Sequence, residues 1–137
     1  MSEFTITRLG HHGDGIAEGP LYAPLTLPGE VITAAQDGQK LGDIRILTPS
    51  PDRVAPPCRH FKSCGGCQLQ HASDGFVAGW KVDVVRTALA AQGLQTDLPP
   101  ALTSPAASRR HIVSFATERE RAGHAYHRLV VAGGGRV

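Results

Sequence analysis

"LPGEVITAAQDGQKLGDIRILTPS", residues 27–50, decides the fold class of this chain. It opens on a Pro-Gly turn at 27–30, runs through VITAA at 31–35, turns again at DGQ (37–39) and leaves through GDIRILTPS at 42–50. An Asp-Gly pair between two strand-like runs is a hairpin signal. In the second run Ile44 and Ile46 share one face and Arg45 takes the other, the period-2 pattern of a half-buried strand.

Upstream, FTITR (4–8) alternates in the same way. The glycine-rich run LGHHGDGIAEGP (9–20) reads as a long turn-rich connection. LYAPL (21–25) reads as a short edge strand, because Pro24 cannot donate to a central ladder. Four or five such short strands over residues 1–52 predict a small closed barrel of OB type, since closure is how so short a sheet loses its exposed edges.

Downstream, PSPDRVAPP (49–57) is a proline-rich passage into a cysteine segment. A helix is expected from about 75 to 92, capped by Asp74 and stopped at Gly93. Its apolar stripe is Val77, Trp80, Val84 and Ala88 with Val85 and Leu89, and Trp80 is expected in the core against the cysteine loop. TDLPPALTSPAAS (96–108) is a second linker. RRHIVSFATERE (109–120) begins another strand pattern, which fades from Arg121 onward. The expected class is mainly β with some α: an OB-like barrel at 1–52, a cysteine loop and helix at 53–95, and a linker with the beginning of a truncated central domain at 96–137.

Composition agrees with small β modules. Of 137 residues, 41% are hydrophobic, only 5% are aromatic, and there are 16 glycines and 10 prolines. No stretch approaches the roughly 20 apolar residues of a membrane span. The start MSEFTITRLG lacks a basic n-region and an apolar h-region, so no secretory signal is expected and the protein reads as cytoplasmic and monomeric. The net charge of +2 is unevenly spread: residues 1–50 balance at −3 and residues 101–137 at +4. Arginine dominates the basic residues, and its planar fork suits phosphate contacts and stacking on bases.

All three cysteines lie in CRHFKSCGGC, as Cys58, Cys64 and Cys67. In a reducing compartment, clustered cysteines read as metal-binding rather than disulfide-bonded. Two ligand sets fit the spacing. A Cys3His zinc knuckle would close locally with His71. A [4Fe–4S] cluster would take the three cysteines and a fourth ligand from elsewhere.

The stretch CRHFKSCGGCQLQH (58–71), preceded by PSPDRVAPP and followed by GWKVDVVRTAL (79–89), resembles the N-terminal region of the bacterial RNA (uracil-5-)-methyltransferases that carry an iron–sulfur motif. RLGHHGDGIAEG (8–19) and LTLPGEVI (25–32) resemble the TRAM domain, a small OB-like RNA-binding barrel. Together they point to the 23S rRNA members of that family, class I enzymes using S-adenosylmethionine. The resemblance implies a [4Fe–4S] cluster on Cys58, Cys64 and Cys67, with RNA as partner. It leaves His71 a packing or hydrogen-bonding role.

The family adds a thiolate to C6 of uracil so that C5 becomes nucleophilic toward the methyl group. This sequence has neither a later cysteine for that step nor a glycine-rich strand-to-helix turn for S-adenosylmethionine, which is expected only in full-length members. The chain is therefore expected to supply RNA capture and a structural cluster. A non-catalytic zinc-binding RNA adaptor is the alternative. The RNA-contact candidates are Arg8 and Arg45 on the barrel, Arg59 and Lys62 in the cysteine loop, and Arg109 and Arg110. His11 and His12 are further candidates on the glycine-rich run.

Overall fold

The computed structural model describes residues 1–64, 67–103, 113–119 and 125–131. In it the alternating run at 4–8 is the middle of a longer strand, β1 (Ser2–Leu9). Then come β2 (Gly15–Ala17), β3 (Leu21–Ala23), β4 (Val31–Asp37) and β5 (Lys40–Thr48). They close into a barrel in the order β1-β2-β3-β5-β4, with β4 returning to β1. β1 serves both neighbours: Ser2–Thr5 pair with β4, and Ile6–Leu9 pair with β2 across a bulge between Ile6 and Arg8. The bulge lets one strand bend between two ladders.

Two sequence expectations change here. β2 lies inside the run expected to be connection alone. It is three residues long, too short for an alternation signal, and is made a strand by partners on both sides. β3 ends before Pro24 as the missing donor requires, yet it is not an edge. It joins β5 in parallel through Tyr22 and Lys40, and the Tyr22 N–H donates to the Gln39 carbonyl at 2.8 Å.

The barrel interior holds Ile6, Ala17, Leu21, Ala23, Ile32, Ala34 and Leu41, with Phe4 and Ile44 against its margin. Three of these are alanines, so the strands close tightly without aromatic filling, as small barrels do by alternating large and small residues. Gly15 belongs to this close approach. A Cβ there would lie 2.0 Å from Thr26 Oγ1, whose hydroxyl donates to the Ala23 carbonyl at 2.8 Å.

Beyond the barrel are a single-turn helix α1 (Phe61–Cys64) and an 18-residue helix α2 (Asp74–Ala91). The cap is Ser73 rather than Asp74: Ser73 is extended and its hydroxyl accepts from the Phe76 N–H at 3.3 Å, leaving Asp74 in the first turn. Gly93 stops the helix as expected, in the left-handed region with φ +73°. The Leu94 N–H reaches the Leu89 carbonyl and the Gly93 N–H reaches that of Ala90, both at 3.0 Å, the paired bonds of a Schellman ending.

Trp80 is not in a core. No residue of α2 is buried, and Trp80 itself is half-buried. Amphipathic spacing marks a face able to be covered, but burial needs an element lying across it.

The strand expected to begin near 109 is β6 (Val113–Arg119), and the pattern does not end there. It pairs antiparallel with β7 (Ala125–Val131), from Val113 opposite Val131 to Arg119 opposite Ala125. AYHRLVV mixes polar and apolar residues without clean alternation, so only the pairing reveals it. Arg109 and Arg110 lie outside the described residues. Among the described residues, no helix is long and apolar enough to cross a membrane.

Candidate metal and nucleic-acid site

The cysteine segment is a loop whose two ends are pinched together. Arg53 bridges Ala72, the Val54 N–H donates to the His71 carbonyl at 2.9 Å, and the Ser73 N–H donates to the Asp52 carbonyl at 2.8 Å. The Ser73 hydroxyl also bonds Asp52 Oδ1 at 3.2 Å. The proline-rich stretch is thus less a free linker than one side of a short clasp.

Glu30 locks this clasp to the barrel. Its side chain is wholly buried, and Arg53 Nε and Nη2 donate to its two oxygens at 2.5 and 2.9 Å. The Leu27 N–H donates to Oε2 at 2.9 Å and the Ser50 N–H to Oε1 at 3.1 Å. Arg53 Nη2 also donates to the carbonyl of Leu25, a residue held in the left-handed region with φ +59°. Burial pushes the Glu30 carboxyl upward, but the Arg53 hydrogen bonds, the two amides and the guanidinium charge outweigh it and hold it below its ordinary value. A carboxylate this enclosed is tolerable only because its acceptor positions are filled.

Inside the loop, Cys58 is buried and Cys67 half-buried. The Cys58 N–H donates to Gln70 Oε1 at 3.1 Å, and its sulfur accepts from the His60 N–H at 3.4 Å. An amide aimed at a sulfur stabilises thiolate charge, as a metal-ligating cysteine needs. Cys64 ends α1, and its side chain lies outside the described residues. A buried cysteine whose sulfur accepts from an amide, on a cysteine-rich loop, fits soft metal chemistry.

His71 is also buried, its ring 5.9 Å from that of Phe61. Neither ring nitrogen has a hydrogen-bond partner among the described groups. Burial and the Arg53 charge lower its pKa, against smaller opposing effects of the Thr26 backbone and Glu30, so the neutral ring is favoured. Among the described residues, no three of His, Cys, Asp or Glu gather as ligands, so Cys58, Cys67 and His71 do not form such a set.

The sequence-derived RNA candidates are placed as follows. Arg8 is exposed on β1, Arg45 exposed on β5, and Arg59 and Lys62 exposed on the cysteine side. His11 and His12 are exposed on the β1–β2 loop. That loop lies close to the cysteine segment: a Cβ at Gly13 would lie 3.4 Å from Gln68 Oε1 and 3.7 Å from Leu69 Cδ2. Sequence reasoning missed Glu30, Arg53 and Gln70. The local trace of the first was an acidic residue directly before the run VITAA, which is apolar or β-branched throughout.

A closed five-stranded barrel of OB type, clasped to a cysteine loop, defines the structural class. No family model matches the chain. Its sequence is 45% identical over 120 residues to an uncharacterized RNA methyltransferase of Caulobacter vibrioides, an alignment covering 85% of this chain and 29% of that protein. An uncharacterized RNA methyltransferase of Brucella suis is 38% identical over 122 residues, covering 87% of this chain and 29% of the relative. The 23S rRNA (uracil(1939)-C(5))-methyltransferase RlmD of Halomonas elongata is 38% identical over 102 residues, covering 68% and 21%. Over the stretch it shares with them, the chain is related to proteins named RNA methyltransferases. It spans about three-tenths of the length of the first of these relatives.

Proposed function

We propose that this chain is the RNA-capture and iron–sulfur portion of an S-adenosylmethionine-dependent methyltransferase acting on uracil C5 of 23S rRNA in the cytoplasm. The observation that carries the reading is the direct attachment of an OB-like barrel to a cysteine loop in a chain related to RNA methyltransferases. The choice of uracil C5 and of 23S rRNA follows the name of the Halomonas elongata relative.

In this reading the barrel, which has the features of a TRAM domain, holds single-stranded RNA on its exposed strands and loops, with Arg8 and Arg45 toward phosphates. Arg59 and Lys62, exposed on the cysteine side, add basic contacts there, and Arg109 and Arg110 are further phosphate contacts in the same reading. Cys58, Cys64 and Cys67 hold a [4Fe–4S] cluster, whose contribution is structural cross-linking of a loop with little core of its own. The buried Cys58 and the His60 amide on its sulfur support that assignment. Methyl transfer belongs to the whole protein, and this chain's share is to present the RNA.

The test is anaerobic purification followed by iron, sulfide and zinc analysis with a visible spectrum. About four irons with matching sulfide, and absorption near about 400 nm, are expected for a cubane cluster. One zinc and no iron would overturn this and favour a non-catalytic Cys3His adaptor that recruits His71.

A further inference from the structure

The β1–β2 loop carries two adjacent exposed histidines whose rings lie close together at a tilt. The His11 and His12 centroids are 4.0 Å apart with the planes tilted by 43°. Exposed imidazoles side by side contribute little to a core, so the fold does not explain the pairing.

Beneath them the loop is fixed. The Gly10 N–H donates to the Asp14 carbonyl at 2.8 Å and the Gly13 N–H to the Gly10 carbonyl at 2.9 Å, closing a tight turn. Gly10 and Gly13 are buried although His11 and His12 between them are exposed. Gly13 takes φ +91° and lies against Gln68 and Leu69. A Cβ at Gly10 would come within 3.1 Å of Ile16 Cδ1. The turn is therefore wedged between β2 and the residues that follow Cys67, with the two rings left outside.

We propose that His11 and His12 form a stacking platform for one unpaired nucleobase of single-stranded RNA, at the seam between the barrel and the cysteine segment. This rests on the RNA-capture reading above and sharpens it. Every base has a π-face, and histidine is among the side chains on which unstacked bases settle. Two exposed rings this close together offer π-surface to a base. A platform whose backbone is already bonded loses little freedom on binding. Arg8, exposed two positions before the turn on β1, is suited to a neighbouring phosphate. A base inside a duplex has no face to offer, so the platform selects single-stranded or flipped-out nucleotides.

The experiment measures the affinity of the 137-residue chain for a single-stranded RNA by fluorescence anisotropy, with an abasic position moved along the RNA. Three proteins are compared: the parent, His11→Ala/His12→Ala and His11→Phe/His12→Phe. The alanine variant should bind about tenfold more weakly, and the phenylalanine variant should bind like the parent. The parent should lose affinity at one abasic position, and that position should be silent in the alanine variant. Equal binding by parent and alanine variant overturns the platform, as does failure of phenylalanine to restore binding. A loss that is the same for intact and abasic RNA also overturns it, by assigning the histidines a role in charge or loop shape. If the parent binds no single-stranded RNA, the RNA-capture reading falls and the platform with it.

Discussion

Arg53 and Glu30 lie 23 residues apart in sequence and meet in a two-pronged ion pair, the carboxylate wholly buried and the guanidinium part-buried. The pair joins the turn before β4 to the segment that bridges Ala72, so one interaction holds both the barrel and the base of the cysteine loop. Removing one partner leaves the other uncompensated. Arg53→Met should cost about 3–5 kcal/mol by urea unfolding, and the double change Glu30→Met/Arg53→Met should cost less than Arg53→Met alone.

The same pair sets an acid limit. The Glu30 carboxyl has a lower pKa folded than unfolded, so the unfolded state binds the extra proton as pH falls. Its stabilisation is fully present above the unfolded value of 4.5 and is lost as pH drops through the folded value. Thermal melts from pH 7 downward should show a fall in midpoint that starts near the unfolded value and is much smaller in Glu30→Gln.

Gly15 has no room for a side chain. Gly15→Ala puts a methyl group 2.0 Å from Thr26 Oγ1 and 2.9 Å from Ile6 Cγ2, and Thr26 is already committed to the Ala23 carbonyl. A loss of about 1–3 kcal/mol is expected from this overpacking. Thr26→Ala in the same chain should recover part of it, which a comparison of denaturation midpoints reads directly.

Ser73 caps α2 and binds Asp52, so Ser73→Ala should cost about 1 kcal/mol or more, and Ser73→Thr, which keeps a hydroxyl for both bonds, should keep most of the stability. Helix content by circular dichroism with thermal melting distinguishes this from a cap at Asp74, whose replacement by alanine should matter less.

On the proposed iron–sulfur reading, Cys64→Ser should lower iron content and melting temperature together, because a loop short of core would depend on a bound metal. On the same reading His71→Phe should leave iron content unchanged, since His71 is not among the proposed ligands and its ring already lies beside Phe61. Loss of metal in the histidine variant would assign His71 as a ligand.

The readable parts of the sequence were those with a local cause. The β4–β5 hairpin came from alternation around an Asp-Gly turn, with Gly38 in the left-handed region as that turn requires. α2 came from its apolar spacing and the glycine stop. The cysteine segment stood out through the spacing of its three cysteines. What misled was also local: Asp74 and Ser73 are both good caps, and only the position of the first helical bond separates them.

β2 became a strand because β1 and β3 lie on either side of it, and Trp80 stayed half-exposed because nothing described lies across α2. Glu30 with Arg53, and Gly13 with Gln68, are contacts between residues far apart in the chain, and no window of sequence contains both partners. By itself the sequence determined the β4–β5 hairpin and the extent of α2, since those depend on neighbours a few bonds away, whereas β2 and β7 needed their partner strands. The tertiary structure alone decided which charges are buried, which glycines have no room for a side chain and which loops touch, because burial and close approach depend on what the rest of the chain brings alongside.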